Sequence, residues 1–211
     1  MAFEFMTVEP AKIEAESFRI IGERLDEMNI VLPEKEAPVI KRVIHTTADF
    51  SFVDTLEFSP DAVDIARDLI RNAATIITDT NMTVAGINKK RLERFGVRVK
   101  CFMADDDVAR EAKERNITRA AVSVERASLI GGPVIYSVGN APTALIELDE
   151  LIKKGQMRPA FIIGVPVGFV NVEYSKELFR GSKIPHIINY GNKGGSNVAA
   201  AIINALVYGI E

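Results

Sequence analysis

The sequence predicts an α/β fold in which a mostly parallel, five-stranded sheet is flanked by helices on both faces, a Rossmann-like three-layer arrangement. Short apolar runs rich in β-branched residues recur along the chain, and helical segments separate most of them. Strands that are apolar throughout are typical of a parallel sheet covered on both faces. The predicted strands are residues 75–78, 97–102, 134–138, 161–165 and about 185–188.

Three helices are predicted before the first strand. The first covers about residues 9–29, the second has Pro38 in its first turn, and the third has Ser59 as its N-cap, followed by Pro60. Each carries an apolar stripe: Phe18, Ile21, Leu25 and Met28 in the first, Val39, Ile40, Val43 and Ile44 in the second, and Val63, Ala66, Ile70 and Ala73 in the third.

Composition limits the class of protein. The 211 residues, 47% of them hydrophobic, are enough for one sizeable core, and we expect a single domain over residues 1–211. A net charge of −3 and scattered basic residues argue against a nucleic-acid partner. No apolar run approaches the roughly 18 to 20 residues needed to span a bilayer. Cys101 has no second cysteine to pair with, and residues 1–10 lack a signal-peptide pattern, so a cytoplasmic protein is expected.

His45 is the strongest candidate for acid–base chemistry. It lies in RVIHTTAD, residues 42–49, in a chain that has only two histidines, one cysteine and no tryptophan. On a helix, the spacing predicts that Arg42, His45, Thr46 and Asp49 project from one face. The second histidine, His186, falls within a predicted strand and is expected to be a buried core residue.

The loops that follow the predicted strands are rich in polar residues and glycine. In open α/β sheets the ligand usually lies beyond the carboxyl ends of the strands, so the loops at residues 79–82, 139–143 and 164–169 are expected to meet in one crevice. Residues 191–196, GNKGGS, precede an alanine-rich helix over 197–208 and predict an anion site made of backbone N–H groups and Lys193.

Simpler interpretations of these loops remain open. The glycine-rich turn is also compatible with a tight connection, Asp79 with a turn cap, and Pro166 with a strand end. The turn does not match the G-x-x-x-x-G-K-[ST] pattern of nucleotide hydrolases. The acidic run 105–107 is expected to head a helix, where acids favour the positive end of the dipole, and no metal site is predicted.

Five ordered segments carry a family resemblance that spans nearly the whole chain. They are RVIHTTADF at 42–50, TDTNM at 78–82 with Ala85 and Gly86, GNAPTAL at 139–145, GVPVGFV at 164–170 and KGGSNVA at 193–199. Together they closely resemble the precorrin-8X methylmutase family of cobalamin biosynthesis. One departure is Asn192, where the family often has arginine.

The resemblance implies an isomerase that needs no cofactor. Family members move a methyl group from carbon 11 to carbon 12 of a corrin precursor, precorrin-8X or cobalt-precorrin-8, giving hydrogenobyrinate or cobyrinate. They are homodimers with the site near the subunit interface. By resemblance His45 is the general acid and base, Arg19 and Arg42 bind substrate carboxylates, and Asp49 helps to orient the imidazole. The other substrate-binding residues expected are Thr46, Thr47, Asp79, Thr80, Asn140, Thr143, Val165, Gly168, Lys193, Gly194, Gly195 and Ser196.

Two other functions remain as alternatives. A corrinoid-binding carrier would use much the same pocket without turning the ligand over. A nucleotide-dependent enzyme with a Rossmann-like sheet is disfavoured, because no G-x-G-x-x-G follows the first predicted strand.

Overall fold

The computed structural model describes residues 7–210, whose six strands form one sheet. The strand order is β1-β6-β5-β4-β2-β3; β1 runs antiparallel to β6, and all other neighbouring pairs are parallel. The predicted α/β class with a mostly parallel sheet is therefore confirmed. The strands are β1 (Leu56–Phe58), β2 (Thr75–Thr78), β3 (Val99–Lys100), β4 (Val134–Val138), β5 (Phe161–Gly164) and β6 (His186–Asn189).

Helices cover both faces of the sheet, and a short 3-10 helix, Pro10–Lys12, precedes the first of them. No helix within residues 7–210 has the length and apolar character needed to cross a membrane. The helices are α1 (Ile13–Glu27), α2 (Ala37–Thr47), α3 (Phe52–Thr55), α4 (Ala62–Arg71), α5 (Asn81–Gly86), α6 (Lys89–Glu93), α7 (Asp106–Arg115), α8 (Arg119–Ser128), α9 (Pro142–Lys153), α10 (Val172–Glu177) and α11 (Ser196–Tyr208).

The sheet separates two apolar cores, because alternate residues of a strand point to opposite faces. Ile76 and Ile187 pack on one side with α2, α4 and α11. Their neighbours Ile77 and Ile188 pack on the other side with α8 and α9. Burial on both faces explains why these strands are apolar throughout, and the predicted three-layer arrangement is confirmed.

Five strands were predicted, whereas the sheet has six within the described residues. Strands β2 and β4 have the predicted bounds, β5 ends one residue early, and β6 begins and ends one residue later than predicted. Strand β3 keeps only two of its six predicted residues. The missed strand, β1, has three residues, too few to show an alternation in sequence. It lies at the sheet edge, where Leu56 pairs with Asn189.

Two helix boundaries differ from the prediction. Ser59 does not cap a helix: its Oγ accepts a hydrogen bond from the His186 N–H (2.8 Å), and α4 begins three residues later. Ala73 lies beyond the end of α4 and is exposed, so its inward placement was wrong. Met28, expected in the buried stripe of the first helix, is 48% exposed because α1 has already ended there.

The remaining predicted features of these segments are confirmed. Pro38 lies in the first turn of α2, and the four apolar residues predicted for that helix are buried. His186 is 2% exposed, with its Nδ1 2.7 Å from the Ile184 carbonyl oxygen. Asp106 and Asp107 occupy the first turn of α7.

Candidate functional site

Asp79 organises the loop between β4 and α9. Its Oδ1 accepts a hydrogen bond from the Gly139 N–H (2.9 Å), and its Oδ2 accepts from Asn140 (2.8 Å) and Ala141 (2.7 Å). Burial raises the pKa of this carboxyl, and the three N–H groups oppose the rise by favouring the charged form. With both oxygens occupied in a buried position, Asp79 shapes the crevice from beneath and does not line it.

Thr80 and Ser196 join the loop after β2 to the start of α11. Their hydroxyl oxygens are 2.8 Å apart, and Thr80 Oγ1 also lies 2.9 Å from Thr83 Oγ1. The backbone of the loop after β4 also lies close to the start of α11, since a Cβ on Gly139 would lie 2.8 Å from the Cα of Ser196. Loops that are far apart in sequence therefore meet at the carboxyl ends of the strands, as predicted.

The glycine turn before α11 is pressed against the end of β5. The Gly195 N–H donates to the carbonyl oxygen of Val165 (2.9 Å), and the Gly168 N–H donates to the backbone carbonyl oxygen of Asn192 (3.1 Å). Gly194 has a φ of +151°, and a Cβ there would lie 2.7 Å from the Pro166 carbonyl oxygen and closer still to that of Val165. Glycine is thus required by both conformation and space. The side chain of Val165 is buried, so only its backbone faces the turn.

Lys193, Asn140 and Thr143 belong to the loops that were predicted to form the crevice. The ammonium of Lys193 lies 2.5 Å from Asp49 Oδ2 and 2.8 Å from Ser51 Oγ, so it is directed towards the end of α2. Asn140 is exposed, and Thr143 is half-buried with its hydroxyl 3.5 Å from that of Thr118.

His45 lies in a second group, between α1 and α2. Its ring stacks on Phe18 with centroids 5.2 Å apart and planes 17° apart. The Arg42 guanidinium lies 4.6 Å from the centroid of Phe18 and 5.0 Å from that of Tyr208, and it forms an ion pair with Glu14. His45 is exposed and lines a cleft of about 340 Å³.

The polar residues around His45 differ in what they offer a ligand. Thr46 is exposed beside it, whereas Thr47 Oγ1 donates to the Val43 carbonyl (2.8 Å) and closes the end of α2. Arg19 is exposed, but Glu16 and Glu23 of its own helix pair with it and raise the pKa of its guanidinium. Asp49 lies beyond the helix end, because Ala48 adopts a left-handed conformation (φ 54°). The prediction that Asp49 shares a helix face with His45 was therefore wrong.

The predicted site residues thus form two groups within the described chain. One consists of His45, Arg42, Thr46 and Arg19 on α1 and α2, and the other of the loops after β2, β4, β5 and β6. None of the crevice loops contributes a residue to the cleft that His45 lines. The ion pair between Asp49 and Lys193 connects the two groups.

Comparison with known proteins identifies the family. The model of the precorrin-8X methylmutase family matches residues 12–209. The chain belongs to the precorrin-8X methylmutase family. The resemblance predicted from five ordered motifs is confirmed.

Individual methylmutases are similar over nearly their whole length. Cobalt-precorrin-8 methylmutase of Salmonella typhimurium is 43% identical over 205 residues, covering 95% of this chain and 95% of that protein. The protein of the same name from Priestia megaterium is 41% identical, covering 97% of this chain and 90% of its own. The solved structure of precorrin-8X methyl mutase from Thermus thermophilus superposes with a TM-score of 0.84 at 38% identity, over 94% of this chain and 95% of that one.

Two basic residues of this methylmutase-family chain lie at these groups but were not predicted from the sequence. Arg24 lines the His45 cleft, with its guanidinium 5.3 Å from the ring centroid of Phe50. Lys176 is completely buried, and its ammonium donates to the carbonyl oxygens of Gly191 (2.6 Å) and Lys193 (2.8 Å). Arg24 precedes Leu25 of the predicted apolar stripe, a signal that could have indicated it. Nothing local distinguishes Lys176 from a surface lysine.

Proposed function

We propose that this protein catalyses the methyl shift from carbon 11 to carbon 12 of cobalt-precorrin-8 or precorrin-8X, giving cobyrinate or hydrogenobyrinate. The observation that carries the proposal is the identity of about 40% to named methylmutases over more than nine-tenths of the chain. The reaction is an isomerisation: the bond from the methyl group to carbon 11 breaks as the bond to carbon 12 forms. Substrate and product contain the same atoms, so no methyl donor, oxidant or cofactor enters.

His45 is the general acid and base of the proposed reaction. Electron density in the conjugated ring moves as the methyl group migrates, and a proton given to the macrocycle and then retaken stabilises that change. Imidazole suits this role near neutral pH. The exposed ring of His45 is held by its stack on Phe18, and the cleft beside it is partly apolar, as a corrin face requires.

Cations and backbone N–H groups bind the substrate's peripheral carboxylates. Arg42 lies one turn before His45 on α2, and Arg19 lies on the adjacent helix α1. At the other group, the first turn of α11 has no side-chain cap, so its backbone N–H groups are available to an anion. Thr80, Asn140, Thr143, Gly168 and Ser196 extend this surface.

A homodimer completes the proposed site. The loop after β5 carries Phe169 (90% exposed) and Val170 (76% exposed), and the helix after β2 carries the exposed Met82. Apolar side chains this exposed beside the crevice are typical of a contact surface. Within one subunit, the crevice loops are separate from the His45 cleft. A second subunit packed against Phe169, Val170 and Met82 brings additional groups to the crevice. Sedimentation of wild type and Phe169→Asp tests this, since the variant is expected to be a monomer.

Cobalt-precorrin-8 is the first substrate to test, because both curated relatives described above carry that name, whereas the solved relative is named for precorrin-8X. The precursor is prepared with carbon-13 in the methyl group at carbon 11 and incubated with purified protein. The proposal expects a product of unchanged mass whose labelled methyl resonance corresponds to carbon 12. If cobalt-precorrin-8 and precorrin-8X are both bound and recovered unchanged, the enzymatic function is rejected in favour of a corrinoid carrier.

A further inference from the structure

Lys176 is an ammonium group enclosed in the protein next to the glycine turn. Its side chain has no exposed surface, although it lies on the short helix α10. Its Nζ donates hydrogen bonds to the carbonyl oxygens of Gly191 (2.6 Å) and Lys193 (2.8 Å). Lysine is among the residues least often fully buried, so this position calls for a specific cause.

The buried ammonium keeps its charge at neutral pH without a paired carboxylate. Burial lowers the pKa of Lys176 to about 8, and the nearby Glu173 of the same helix acts in the opposite direction. Within residues 7–210, no carboxylate lies close enough to Lys176 to form a salt bridge. Two carbonyl dipoles are its hydrogen-bond partners, and a buried cation of this kind costs folding free energy.

The hydrogen bonds of Lys176 belong to a network that fixes the carbonyl groups of the turn between Gly191 and Ser196. The carbonyl of Lys193 receives a second hydrogen bond, from Asn189 Nδ2 (2.7 Å), and Asn189 Oδ1 in turn accepts from Thr55 Oγ1 (2.6 Å). The carbonyl groups of the turn are thus held towards the protein interior. From the other side, the turn is pressed against the backbone of Val165.

The electrostatic effect of Lys176 differs from that of Lys193. The Lys193 ammonium is paired with Asp49, which offsets its charge. The charge of Lys176 is not offset in this way, and its Nζ donates to the Lys193 carbonyl, three residues before α11 begins. The first turn of α11 has no side-chain cap, and its N–H groups carry partial positive charge. An anion bound at that turn interacts favourably with both.

We propose that Lys176 is a positioning residue that fixes the Gly191–Ser196 turn, and that its buried charge favours a substrate carboxylate at the start of α11. This inference rests on the proposed function for the identity of the ligand, whereas the positioning of the turn is independent of it.

The test replaces Lys176 by methionine, which keeps the length of the side chain but removes its charge and donors. Lys154→Met is the matched control, because Lys154 is an exposed lysine whose ammonium pairs with Glu150 on α9. For Lys176→Met, KM for cobalt-precorrin-8 is expected to rise about tenfold or more while kcat changes less than about threefold. Backbone amide exchange over residues 191–196 is expected to accelerate about tenfold, with the sheet unchanged.

A second variant separates hydrogen bonding from charge. Lys176→Gln keeps N–H donors but no charge, so it is expected to restore part of the amide protection while KM stays raised. Unchanged KM and unchanged exchange in Lys176→Met overturn the proposal, as does a loss confined to kcat. If neither variant folds, Lys176 is a requirement of the fold, and the proposal falls.

Failure of the proposed function gives a different pattern. If wild type converts neither corrin precursor while Lys176→Met still loosens residues 191–196, then the methylmutase activity and the carboxylate ligand are rejected and the positioning role stands. If wild type is active and the turn stays protected in Lys176→Met, the positioning role alone is rejected.

Discussion

Asp49 and Lys193 form an ion pair, with Oδ2 and Nζ 2.5 Å apart, that joins the end of α2 to the turn before α11. Asp49 follows the helix that carries His45, and Lys193 precedes the helix whose first turn faces the crevice. The pair is a side-chain link between the segment that follows the His45 helix and the glycine turn. It restrains the position of His45 relative to the glycine turn.

The first prediction concerns the energy of this link. Lys193 is more than half exposed, so Asp49→Asn is expected to lower the free energy of unfolding by no more than about 1 kcal/mol. Lys193 lowers the pKa of Asp49, so the stabilisation is present above the ordinary aspartate pKa and is lost as pH falls through the lowered value. Urea unfolding at pH 7 measures the effect. A loss above about 2 kcal/mol would show that the pair is structural.

The second prediction compares two glycines with left-handed backbone. In Gly194→Ala the new Cβ overlaps the carbonyl of Val165, whereas in Gly181→Ala, at φ +69°, it meets nothing within 4 Å. The control is expected to cost about 1 kcal/mol through its backbone alone, and Gly194→Ala at least about 3 kcal/mol together with a loss of substrate binding. Thermal unfolding and substrate titration check both variants; equal losses in the two would contradict the tight packing of the turn.

The third prediction concerns the carboxylate beneath the crevice. Asp79→Asn replaces one acceptor oxygen by a donor, so at least one of the N–H groups of Gly139, Asn140 and Ala141 loses its partner. The expected cost is about 1 to 3 kcal/mol. The same change at Asp106, in the first turn of α7, is expected to cost less than about 0.5 kcal/mol. Similar values for the two variants by urea unfolding would refute the structural role of Asp79.

The fourth prediction is a pH dependence. Burial lowers the pKa of Lys176 to about 8, below its ordinary value of 10.5. Between these values the unfolded chain binds more protons than the folded one, so the contribution of Lys176 to stability rises with pH. Wild type is expected to gain roughly 3 kcal/mol of unfolding free energy relative to Lys176→Met from pH 7.5 to pH 10.5.

Other groups titrate in the same window, and the comparison of two proteins removes their effect. Tyr190, whose pKa is raised to about 12 by burial and by Glu57, is present in both. Denaturant unfolding of both proteins at four pH values gives the difference curve. A flat curve for Lys176→Met would mean that its ammonium is solvated in the folded state.

The strands and their order along the chain were predictable because burial on both faces leaves a continuous apolar signal. Strand β1 was not, because three residues paired at an edge give no such signal. Ser59 was assigned to a helix cap from its local context, but its hydrogen bond with His186 of the neighbouring strand β6 determines its role. Contacts of this kind depend on the tertiary structure.

The crevice was predictable for a topological reason, since the carboxyl ends of parallel strands meet at one edge. The roles of its residues were not. Asp79 carries the same polar side chain whether it faces a ligand or three backbone N–H groups, and only the fold decides between the two. The burial of Lys176 likewise follows from packing between α10 and the glycine turn, which has no counterpart in the local sequence.

The proposed function depends most on proton transfer by His45 in the corrin isomerisation. The most direct measurement is single-turnover conversion of cobalt-precorrin-8 by wild type, His45→Ala and the neighbouring exposed control Thr46→Ala, followed by visible absorption. All three proteins are expected to bind the substrate, and His45→Ala is expected to convert it about 10² to 10⁴ times more slowly than wild type. Thr46→Ala should stay within about tenfold of wild type. Equal rates for wild type and His45→Ala would contradict the claim.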